Sequence, residues 1–129
     1  MHCIPADEIV RRRPVWEAMS EFFLDTELDD ARLRGIAAIL LASGYSIAEL
    51  EDILASEVAP LLYKNLLAPA GEWSGFKPEW LVDQIVAGRH RDIARWFKFP
   101  ARWSCRRVLR DVRAQYWARV LRHLQEAVG

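Results

Sequence analysis

Val15, Trp16, Met19, Phe22 and Phe23 follow one another at the spacing that lines one side of a 3.6-residue helix, while Glu17 and Glu21 point elsewhere. The pattern predicts a central core helix beginning at about Pro14, where a first-turn proline is tolerated because its missing N–H would have no partner anyway. Leu33, Ile36, Ala37, Leu40 and Leu41 mark a second helix. Asp29 or Asp30 caps its start, Gly44 terminates it, and Gly35 permits a close helix crossing. Ser46-Ile47-Ala48-Glu49 is a capping box that announces a third helix carrying Leu50, Ile53, Leu54 and Val58. Pro60 is expected to kink that helix or start a new turn. Residues 68–76 read as a loop folded back on the core through Trp73 and Phe76. Pro78 opens and Gly88 closes a short helix with Trp80, Leu81 and Ile85, and another short helix is expected around Asp92 to Phe97. The last element runs from about Ala101 to Ala127. The result is one all-α domain over residues 1–129, with about six helices and a long C-terminal helix.

The apolar side of that last helix changes direction. Cys105, Val108, Leu109, Val112 and Tyr116 cluster one way, whereas Trp117, Val120, Leu121 and Leu124 cluster about 100° further round. Arg102, Arg106, Arg110 and Arg113 lie on roughly the side that the second half buries. Either the helix bends, or its first half presents an arginine stripe to something acidic.

Composition sharpens this picture through charge. The formal net charge is zero, yet residues 1–88 hold 7 Lys and Arg against 15 Asp and Glu, and residues 89–129 hold 11 against 3. The acidic and basic parts therefore carry −8 and +8. No apolar run approaches the roughly 20 residues that span a bilayer. The N-terminus lacks the features of a secretory signal, so a soluble cytoplasmic protein with no membrane association is expected. Cys3 and Cys105 form neither a C-x-x-C pair nor a zinc spacing, so they are expected to be buried or idle thiols.

Three candidate chemistries fail on their residues. His90-Arg91-Asp92-Ile93 resembles a kinase catalytic loop but has Phe97 where the motif needs Asn. Asp25-x-Glu27-x-Asp29 has the start of a calcium loop, with Asp30 and Ile36 in place of its glycine and its bidentate glutamate. Glu17 and Glu21 stand one turn apart without a Glu-x-x-His partner. No catalytic residue, metal site or cofactor is assigned, and the chain is read as a non-enzyme.

The run from Trp16 to Leu28, which spells Trp-Glu-Ala-x-Ser-x-x-Phe-Leu-Asp-Thr-Glu-Leu, resembles a family of small uncharacterised bacterial helical proteins. Glu57-Val58-Ala59-Pro60, Gly71-Glu72-Trp73-Ser74-Gly75-Phe76 and Trp80-Leu81-Val82 strengthen the likeness, which covers residues 14–87. The resemblance implies a bacterial source and a compact helical domain, and it implies no mechanism.

The expected function is a protein-binding module, immunity-like in the sense of a small protein that docks on and blocks a larger one. Its expected surface is acidic, formed by Glu17, Glu21, Asp25, Glu27, Asp29 and Asp30, with Trp73 or Trp96 as anchors. The alternative is nucleic-acid binding, with the arginines of residues 89–122 on phosphates and neighbouring aromatics stacked on bases. A homo-oligomer held by opposite charges is the third expectation.

Overall fold

In the computed structural model, which describes residues 5–24, 27–63, 78–88 and 99–128, the chain enters helix α1 (Ala6–Ser20) directly after Pro5. Asp7 and Glu8 in the first turn complement the positive end of the helix dipole. The expected start at Pro14 is thereby corrected, since Pro14 lies inside α1. Pro14 offers no N–H to the carbonyl of Val10. Val10 is 74 % exposed and Pro14 is exposed too, so that carbonyl lies on the solvent side, where water is available to it. After Ser20 the backbone tightens into a 3-10 turn (Glu21–Phe23). The apolar stripe is core as expected: Val15, Trp16, Met19, Phe22 and Phe23 are all 0 % exposed.

Helix α2 (Asp30–Ala42) is capped by Asp29, whose carboxylate accepts the Arg32 N–H at 2.8 Å. Leu33, Ile36, Ala37 and Leu40 are buried, but Leu41, at the edge of that stripe, is 45 % exposed. Gly44 closes the helix with a φ of +78°. Among the described residues nothing stands within 4 Å of the place a Cβ on Gly35 would take, so no close crossing is made there by them.

Ser46 and Glu49 form the capping box of α3 (Ile47–Leu62), with N–H···O distances of 3.1 and 2.9 Å. Pro60 lies in the first turn of an α-segment that follows a π-helical stretch of this helix, so it starts a new turn as expected. A π-helical segment, Leu54–Val58, precedes it, and the helix resumes as Ala59–Leu62. Because Pro60 has no N–H for the Ser56 carbonyl, the wider turn is where the missing bond is absorbed.

Helix α4 (Pro78–Val86) buries Leu81 and Ile85 and is followed by Gly88 at φ +78°. Helix α5 comprises Phe99–Val112, a π segment Arg113–Trp117, and Ala118–Val128. Pro100 falls in its first turn, where the missing N–H is harmless. The π segment explains the change of face. It accommodates one residue beyond the α repeat, which turns everything downstream back by about 100°. Val108, Val112 and Tyr116 therefore share one buried side with Trp117, Val120 and Leu124.

Helix α1 packs on α2, on α4 and on the π segment of α3; the second half of α5 lies along α2, and its first half meets the last turn of α3. The fold is all-α, with five helices and no strand among the described residues. The helix expected at Asp92 to Phe97 and the loop at residues 68–76 lie outside the described residues. No single helix among the described residues is long and apolar enough to cross a membrane; α2 and α3 reach that composition only together, at a bend of 109°.

Candidate functional site

Three of the six acidic candidates, Glu17, Glu21 and Asp30, are engaged by the protein's own cations. Glu17 accepts from Arg13 Nε at 3.0 Å across one helical turn. Glu21 receives both arms of the Arg32 guanidinium, Nε at 2.6 Å. Asp29 is occupied as the cap of α2, and Glu27 is exposed. Asp25, Trp73 and Trp96 lie outside the described residues.

Asp30 joins α2 to α5. One carboxylate oxygen faces Arg119 at 3.4 Å and His123 Nε2 at 3.2 Å, and the other faces Arg34 at 3.1 Å. The hydrogen bond from His123 is the main reason that the Asp30 pKa lies below the usual carboxylate range, and the charges of His123 and Arg34 add to it. A depressed carboxylate pKa stabilises the fold above that range and loses its effect as pH falls through the lowered value. Thermal melts of wild type and Asp30→Asn are therefore expected to differ most near neutrality and to converge in acid. A gap that stays constant down to the acid limit would mean that the contacts of Asp30 do not depend on its charge.

A second cluster holds α1 to α3, and sequence reasoning missed it. Trp16 Nε1 donates to Glu57 Oε1 at 2.8 Å, and Arg12 pairs with the other oxygen of Glu57. Arg12 also donates to Glu8 at 3.0 Å, and the Tyr45 hydroxyl donates to the same Glu8 oxygen at 2.9 Å. Burial alone would lower the Arg12 pKa, but the charge of Glu57 and contacts with Tyr45 and Glu8 outweigh it and hold that pKa above its usual range. Glu8 is held below its usual range, first by Tyr45 and then by Arg12. The spacing of Glu8 and Arg12 was the only local signal, because Glu57 arrives from another helix.

Aromatic contacts fix the middle of α5. Phe22 stacks on Tyr116 at 5.9 Å and meets Trp117 edge-on at 6.4 Å. The Tyr116 oxygen accepts the Leu28 N–H at 3.4 Å, and Trp117 Nε1 donates to Glu51 at 3.3 Å. Cys105 is half-buried and unpaired with another cysteine, and burial pushes its thiol pKa up.

The arginine stripe behaves differently from the acids. Arg106, Arg110 and Arg113 are exposed. Arg110 reaches only its neighbour Asp111, at 3.9 Å, and neither Arg106 nor Arg113 enters an ion pair among the described residues. The Arg102 side chain lies outside the described residues. The surface among the described residues includes two open depressions. One, of about 360 Å³, lies between α2 and α5 beside Ala38, Leu41, His123 and Ala127; the other, of about 300 Å³, lies beside Arg12, Tyr45 and Asp52. No group of His, Cys, Asp and Glu among the described residues is arranged to hold a metal ion.

Together these features define a compact all-α protein, internally cross-linked by ion pairs and open along one arginine-bearing helix face. The chain belongs to a family described as a domain of unknown function, DUF7079, whose profile matches residues 10–123. That match extends well past residues 14–87 and takes in the arginine face of α5. No curated protein and no solved structure matches the chain.

Proposed function

We propose that this protein is a non-enzymatic protein-binding module that docks an acidic partner surface on the basic face of α5. The observation that carries the reading is a contrast in satisfaction. Glu8, Glu17, Glu21, Asp30 and Glu57 are paired within the fold, whereas Arg106 and Arg113 stand in solvent without a counter-charge among the described residues. Exposed guanidiniums lose less hydration than ammonium groups on binding and grip carboxylates with two parallel bonds. The acidic set expected from the sequence is the weaker surface, because a partner's cations would have to displace Arg13, Arg32 and Arg34 from it. The reading extends to a bacterial source, which the motif at residues 16 to 28 supports, and to a cytoplasmic, immunity-like role, in which a small protein covers the working surface of a larger one.

A second reading draws on the same guanidiniums: they suit phosphates, and the face then binds nucleic acid. The variant Arg106→Ser/Arg110→Ser/Arg113→Ser separates the outcomes. Its substitutions are on the surface, so the fold is expected to persist by circular dichroism. A stoichiometric protein captured from the native host by the wild type should be lost by at least about tenfold with the variant. Undiminished capture would remove the basic face from the reading. Salt-sensitive anisotropy of labelled nucleic acid, abolished in the variant, would hand the function to the second reading. Light scattering at low and high salt decides whether the captured partner is another copy of the chain.

A further inference from the structure

We infer that the docking face runs the length of α5 from Arg106 to Arg122, and that its occupant is an acidic amphipathic helix of the partner. This rests on the reading of the arginines above and adds to it a further residue, a length and a partner chemistry. In a regular α-helix Arg122 would point well away from Arg106, Arg110 and Arg113. The π segment Arg113–Trp117 changes that. By turning the downstream helix back about 100°, it brings Ala118, Arg122 and Gln125 onto the side of the upstream arginines, and all three are exposed. After the same rotation Arg119 and His123 still lie more than a quarter-turn from that side, facing Asp30. Asp111 and Glu126 also fall off the face, about a quarter-turn or more away. What remains is a strip of about 24 Å, at 1.5 Å per residue, without a carboxylate on it.

The middle of the strip selects the occupant. Between Arg113 and Arg122 lie about 13 Å of helix whose positions on that side are the exposed Ala114 and Ala118 and the half-buried Leu121. A nucleic-acid backbone laid along the strip would hold phosphates against these methyl groups with no cation opposite them. A helix with carboxylates near its ends and aliphatic side chains between them matches arginine, alanine and leucine in the order in which α5 presents them. The acidic balance of residues 1–88 also repels a long polyanion more than it repels a helix with a few carboxylates.

The test uses the full chain and a labelled synthetic helical peptide of about 20 residues, long enough for the strip, with glutamates at i, i+4 spacing in its end turns and leucines in its middle turns. A single-stranded oligonucleotide of comparable length serves as the second probe. The peptide is expected to bind more tightly than the oligonucleotide. Arg122→Ser and Arg106→Ser are each expected to weaken it about fivefold. Ala118→Glu, an exposed change to a good helix former, is expected to weaken it about tenfold by placing a carboxylate against the peptide's own. Circular dichroism confirms that each variant remains folded. Peptide binding sensitive to Arg106 but indifferent to both Arg122 and Ala118 would overturn the extended face and leave the broader protein-binding reading standing. Tighter binding of the oligonucleotide, or no binding of the peptide, would overturn the helix as occupant.

Discussion

Trp16→Ala is expected to lower the unfolding free energy by about 3–5 kcal/mol, the range for truncating a large aromatic in a core that collapses only in part. Trp16 is fully buried on α1, the helix that touches α2, α3 and α4. Its loss removes packing on several sides at once. It also strips Glu57 of the indole N–H at 2.8 Å, leaving Arg12 as its cross-helix partner among the described residues. Trp16→Phe separates the two contributions, since it keeps most of the volume and deletes the donor, at a cost of about 1–3 kcal/mol. Urea denaturation followed by far-UV dichroism measures both. Equal losses for the two variants would assign the role of Trp16 to its hydrogen bond, and a loss below about 1 kcal/mol for alanine would contradict the placing of this residue at the centre of the core.

The elements that the sequence made legible are those governed by neighbouring residues. Ser46 and Glu49, Asp29 at the start of α2, and Gly44 at its end act over one turn, and all adopt the predicted geometry. The apolar stripe of α1 was equally readable, but the start of α1 was not. Pro14 and Pro5 each satisfy the local rule for a helix start, and what distinguishes them is the exposure of Val10, a tertiary fact. Leu41 shows the same limit, because periodicity places it on the border of the buried side without saying how far the neighbouring helix reaches. At the surface, the residue types of the acidic candidates were visible and their intramolecular partners were not. Glu21 is joined to Arg32 and Asp30 to Arg119 by the way α1, α2 and α5 meet. The arginine stripe was visible as a spacing, but its extension to Arg122 depends on how α5 is wound.

The winding of α5 yields the second large effect, through a contrast between insertion and deletion. A π segment behaves as a regular helix with one residue too many. Deleting Ala114, which is exposed within that segment, is therefore expected to leave an unbroken α-helix with Trp117, Val120 and Leu124 still facing the core, and to leave stability within about 1 kcal/mol of wild type. Inserting one alanine after Ala114 requires either a second wide turn or a further rotation of about 100°, which would swing those three side chains toward water. At about 1.5–3 kcal/mol for each large side chain withdrawn from the core, the insertion is expected to destabilise the protein by on the order of 5 kcal/mol. The stacking of Phe22 on Tyr116 and its edge contact with Trp117 give the local readout, since near-UV dichroism from these rings should survive the deletion and vanish with the insertion. Equal damage from both variants would mean that the π segment is required for itself, through its own geometry, and not for the rotation it gives to the helix beyond it.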